Sequence, residues 1–125
     1  MPKSLDMGLL RELRGRVHRD QLDLQRDQEG LAELADWGVD LNSPQWLRLF
    51  LLIGNTPMAD RVANLLHSEG WETTVVPSSH DERQVLCAER RTELSLATVS
   101  RFRRRFQQLS VRGVGIEYDG WEAGC

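Results

Sequence analysis

The sequence is poor in cysteine, histidine and lysine, and it has no long apolar run. Its two thiols, Cys87 and Cys125, are too few for the disulfide framework of a small secreted domain and are expected to be free. His18, His67 and His80 stand far apart, and none has a metal-ligand spacing to a cysteine or another histidine. The longest apolar stretch, Leu49 to Ile53, is far below the roughly 20 residues that cross a bilayer and suits a buried strand. The opening residues Met-Pro-Lys-Ser-Leu-Asp lack the apolar core of a secretory signal, so a cytoplasmic location without membrane attachment is expected. A Gly-x-Ser-x-Gly elbow, a Gly-rich phosphate loop and a His-Glu-x-x-His helix are all missing. Neither an enzyme nor a cofactor is expected.

What is present is the composition of one folded domain: 125 residues, 40% hydrophobic and 28% charged, with a net charge of −3. Charge that small implies no general attraction to nucleic acid. Its distribution is uneven. Nine acids accompany six bases up to Pro44, whereas five arginines and no acid lie between Ser95 and Gly115.

Leu10, Leu13, Val17, Leu24, Leu31 and Leu34 recur at helical separations, with Asp20 and Asp27 interrupting the stripe. One long or broken helix is predicted from about Asp6 to Trp37, stopped at Gly38, with Asn42-Ser43-Pro44 as the turn that follows. Residues 1–44 thus read as a helical extension and connector, and 45–125 as the main domain. The interrupted heptads also leave room for a homodimeric coiled coil.

From Trp46 to Ile53 only Arg48 is polar, which predicts a central strand covered on both faces. Thr56 is the expected cap of a helix with Pro57 in its first turn and Met58, Val62, Leu65 and Leu66 as its stripe, ending at Gly70. Trp71 to Val76 is the second strand, and Pro77 suits a sheet edge. After the polar connection Ser78–Glu82, Gln84 to Glu93 is the third strand, with Val85, Leu86, Cys87 and Ala88 at its core. Ser95 caps a second helix with the apolar face Leu96, Val99, Phe102, Phe106 and Leu109; Gly113 ends it, and Gly115 to Trp121 is the last strand. The expected fold class is therefore α+β: a ferredoxin-like β-α-β-β-α-β sandwich with an additional N-terminal helix. Trp46, Phe50 and Leu52 should face away from the two core helices, so the N-terminal helix or a second copy of the chain should cover them.

Two features could form a binding site. Arg101, Arg104 and Arg105 fall opposite the apolar face of their helix, with Arg103 at its flank. Guanidinium groups there could grip phosphates or an acidic partner, or simply be a solvated exterior that suits the helix dipole. Tyr118-Asp119-Gly120-Trp121 sets two aromatics around an acid and a glycine, which fits an exposed interface anchor or the closure of the core. By contrast, Asp81-Glu82 reads as a solvated hairpin tip, and Cys87 as inert packing.

The Tyr118–Trp121 run resembles the C-terminal motif of the ribonuclease E inhibitor RraB family. The similarity extends to Leu34–Pro44, Trp46–Trp71, Cys87-Ala-Glu-Arg-Arg91 and Gly115–Ala123, roughly Gln28 to Ala123 in all. The resemblance implies a ferredoxin-like fold and a non-catalytic protein that binds ribonuclease E at its scaffold region and alters RNA turnover. The expected partner is thus a protein, ribonuclease E or an associated factor, contacted through Arg101, Arg104, Arg105, Tyr118, Asp119 and Trp121. Direct RNA binding is the alternative, although the third strand lacks the aromatic pattern of RNA-recognition modules.

Overall fold

The structure is a computed structural model that describes the backbone of residues 7–124 and side chains from Arg19 to Gly124. The start of the predicted stripe (Leu10, Leu13 and Val17), His18 and Cys125 therefore lie outside the side chains described.

The chain is α+β, with three helices and a four-stranded antiparallel sheet among the described residues. In order it runs α1 (Met7–Asp36), β1 (Gln45–Ile53), α2 (Thr56–Ser68), β2 (Glu72–Pro77), β3 (Gln84–Thr92), α3 (Leu96–Arg112) and β4 (Ile116–Gly124). The strands lie in the order β2-β3-β1-β4. The largely apolar β1 is central, as its pattern requires, and β2 with its terminal Pro77 is an edge. At that edge a missing N–H interrupts no ladder.

Local chemistry fixes the ends of the elements. The Ser95 hydroxyl accepts from the Thr98 N–H and starts α3. α2 is capped one residue earlier than its Thr-Pro signal suggests. The Asn55 side chain accepts from the Met58 N–H, so Thr56 is already helical. Asparagine and threonine both cap well, and a Pro in the first turn fits either frame. Gly38 and Gly70 close α1 and α2 at φ +90° and +95°, a backbone that favours glycine.

One face of the sheet carries the core. Leu47, Leu49, Leu51 and Ile53 of β1 are essentially inaccessible, and with Leu86 and Ala88 they meet Ala59, Val62 and Leu66 of α2 and Val99, Phe106 and Leu109 of α3. Trp71 is buried edge-on between Phe102 and Phe106, with ring centroids 4.9 and 5.1 Å away. The Arg90 guanidinium stacks over Trp71 and donates to the Glu69 carbonyl.

Two expectations need correction. α1 does not cover Trp46, Phe50 and Leu52. It packs beside α3 and adds Leu31 to the same core, so the opposite sheet face stays half-buried at β1. Cys87 is not on the core side either: it stands opposite Phe50 on that other face, half-buried, because side chains alternate along β3. Burial, and then Glu89, push its thiol pKa up, so it is protonated at neutral pH.

Candidate functional site

Among the described residues a groove of about 720 Å³ lies between α1 and β4. Its shape originates in the Tyr-Asp-Gly-Trp run. In a regular strand Tyr118 and Trp121, three positions apart, would point to opposite faces. Here Leu51 pairs with Tyr118 and Leu49 with Trp121, which leaves Asp119 and Gly120 together opposite Phe50. This is a β-bulge, and Gly120 meets its backbone demand at φ +104°. The bulge turns both rings to the same side, toward α1. The tetrapeptide thus aims two aromatics toward α1, where both rings also pack against the hydrophobic core.

α1 receives them. The Trp121 Nε1–H donates to Asp27 Oδ1 at 2.9 Å, and its ring lies over Gly30. A Cβ at Gly30 would come within 3.0 Å of that ring, so a larger residue cannot stand there unless the indole moves. The other Asp27 oxygen accepts from Arg103 Nε at 2.7 Å and from the Ser100 hydroxyl at 2.9 Å. Asp27 and Arg103 are both only 2% exposed, so their charges are held by each other and by directional hydrogen bonds. Arg103 Nη1 also donates to Gln107, whose amide donates in turn to Asp23. Arg104 clasps Asp20 through two hydrogen bonds of 3.1 and 3.2 Å. That contact, through the Arg104 hydrogen bonds first of all, holds the Asp20 carboxyl below its ordinary range.

These contacts relocate the arginine face. Arg103, expected at the flank, is the buried centre of the α1–α3 contact. Arg104 is paired with Asp20, and Arg105 with Glu69 of the α2 terminus at 2.5 Å. Arg101 alone of the four has no carboxylate partner among the described residues, and it rests on Phe102. Of the residues singled out from sequence, Tyr118, Asp119 and Trp121 line the groove together. Arg101, Arg104 and Arg105 do not, and Arg104 lines a second depression beside it.

The sequence reading missed Asp27, Gly30 and Trp37. Asp20 and Asp27 were visible as polar breaks in an apolar stripe, and those breaks are the positions that meet arginine. Trp37, just past the end of α1, is 81% exposed at the mouth of the groove. Tyr118 is half-buried, and its hydroxyl is inaccessible with no partner among the described residues; burial pushes its pKa up. The described residues contain no cluster of His, Cys, Asp and Glu fit to hold a metal, and no helix among them is long and apolar enough to cross a membrane.

Residues 24–123 match the family model described as regulator of ribonuclease activity B, RraB. No curated protein matches the chain. The match spans most of the sequence, and the chain belongs to the RraB family. It begins within α1, so the half of that helix carrying Asp27, Gly30 and Leu31 lies inside the family region.

Proposed function

We propose that this RraB-family chain regulates ribonuclease activity without catalysis, by binding a protein partner in the groove between α1 and β4. The partner would be ribonuclease E or a factor associated with it, met in the cytoplasm. The observation that carries the reading is the pair of tryptophans. Trp121 is fixed in the wall by a buried carboxylate, while Trp37 stands almost fully in solvent at the rim. Large rigid aromatics beside a concave surface are typical interface anchors, because they contribute area at small entropic cost. The strand order supports the ferredoxin-like description of the 45–125 domain, with residues 1–44 as the extension that supplies the second wall.

Direct RNA binding through the arginine face has less support. Three of the four guanidinium groups between Arg101 and Arg105 already hold carboxylates of this chain, which leaves little free positive charge for phosphates.

The test is capture of ribonuclease E from native lysate by the wild-type chain and by Trp37→Ala, with and without nuclease. Wild-type capture should survive nuclease and fall at least tenfold for Trp37→Ala, a loss of about 1.4 kcal/mol, at an unchanged melting temperature. Capture that disappears with nuclease would replace the protein partner with RNA. Capture indifferent to Trp37 would remove the groove as the site.

A further inference from the structure

We propose that the groove receives an extended, basic segment of the partner, which adds as a fifth strand along the free edge of β4. This rests on the groove being the partner site and names what enters it. Four observations carry it.

The groove is lined by six consecutive residues of β4, 118 to 123. Outside the bulge at Asp119 and Gly120 successive side chains still point to opposite faces, so an opening that touches all six runs along the strand's edge rather than over one face. β4 is also terminal in the sheet, and no strand pairs with its outer edge among the described residues. An unpaired edge offers a row of N–H and C=O groups, the template used when a peptide joins a sheet. The opposite edge, β2, ends in Pro77 and is a poorer template.

Charge then selects the occupant. The ionisable side chains exposed along β4 are all acids: Glu117, Asp119 and Glu122. Glu117 is bonded to Arg83, and Glu122 lies 3.8 Å from Arg48. Asp119, together with Glu33 on the α1 wall, has no cationic partner among the described residues, while Arg26, the exposed arginine of that wall, lies 3.9 Å from Asp23. A second β4 would set acids against acids, which disfavours symmetric pairing of two copies; a segment bearing arginine or lysine is complementary. Finally, Arg103 Nη2 and the Tyr118 hydroxyl are buried without a partner among the described residues, and both residues line the groove. A buried donor left unmade costs free energy, so an opening of the groove wall that admits a main-chain carbonyl to either group would be favoured.

The test titrates the full chain with three fluorescent ten-residue peptides while following its backbone amide shifts. One alternates arginine with valine, the second has glutamate for arginine, and the third is the arginine peptide with a central proline. The arginine peptide should bind and shift the amides of residues 117–123. The glutamate and proline peptides should each bind at least tenfold more weakly. The double variant Glu33→Gln/Asp119→Asn should weaken the arginine peptide at least threefold while leaving the free chain's spectrum otherwise native. Equal binding of the proline peptide would overturn strand addition, and equal binding of the glutamate peptide would overturn the basic occupant. Self-association through β4 without peptide binding would replace the partner segment with a second copy. If the arginine peptide fails while capture of ribonuclease E still depends on Trp37, this inference falls and the proposed function stands. If the peptide adds to β4 while capture ignores Trp37, the inference stands and the ribonuclease E reading falls.

Discussion

α3 presents two different seams to its neighbours. Toward the sheet and α2 it offers Val99, Phe102 and Phe106, closed by the edge-on ring of Trp71. Toward α1 it offers Ser100, Arg103, Arg104 and Gln107, met by Asp20, Asp23 and Asp27, with Leu31 as the buried apolar contribution of α1 among the described residues. The apolar seam is worth about 1.5–3 kcal/mol for each large side chain fully buried, and it is indifferent to direction. A buried ion pair gives little net stability compared with an apolar replacement, but it demands one geometry. The first seam therefore holds the fold. The second fixes the rotation and register of α1, and with them the width of the groove and the aim of Trp121.

The largest expected effects separate the two seams. Phe106→Ala should cost about 3–5 kcal/mol and lower the whole unfolding transition, read by chemical denaturation. Asp27→Ala strands a buried arginine and should cost about 3 kcal/mol, but with a different distribution. Hydrogen exchange should accelerate across residues 20–36 while β1 and β3 stay protected. Uniform acceleration would mean that the polar seam is part of the global core, and the contrast would collapse.

Smaller effects sharpen the comparison. Gly30→Ala gains up to ~1 kcal/mol of helix propensity yet drives a methyl group against the Trp121 ring. Net stability should stay within about 1 kcal/mol of wild type while tryptophan fluorescence shifts red, showing a displaced indole. Acid should act more gently still. The Arg104 hydrogen bonds hold Asp20 below its ordinary 3.8, and those of Arg105 hold Glu69 below its ordinary 4.5. A carboxyl depressed in the folded state adds stability above its unfolded value, and that stability is lost as pH falls through the folded value. No change is expected between pH 8 and 5. Below about pH 4, α1 should loosen first, because it has less apolar cover than α2; circular dichroism and exchange would record the order.

Much of the frame was readable because it is local. The largely apolar β1, Pro77 at an edge, Ser95 as a cap, and Gly38, Gly70 and Gly113 as stops each follow from the chemistry of a few neighbouring residues. The site was readable only in part. Tyr118, Asp119 and Trp121 attracted notice as a tetrapeptide, but their common direction depends on a bulge whose register is set by β1. The arginines read as a free face because a helical wheel shows which residues share a side and not what docks there. The partners of Arg103 and Arg104, Asp27 and Asp20, are more than seventy residues away and look in sequence like flaws in an apolar stripe. A break in a stripe at two positions seven apart is the pattern left by a polar docking seam, and paired with an arginine cluster on another helix it points to the contact.

The most direct measurement is hydrogen exchange on the chain alone and bound to purified ribonuclease E scaffold region, after nuclease treatment. Protection should concentrate in residues 26–37 and 117–123, the two walls of the groove, with the β1–β3 face and the Arg101 end of α3 unchanged. Protection centred instead on Trp46, Phe50 and Leu52, or on Arg101, would contradict the claim that the polar seam exists to present this groove.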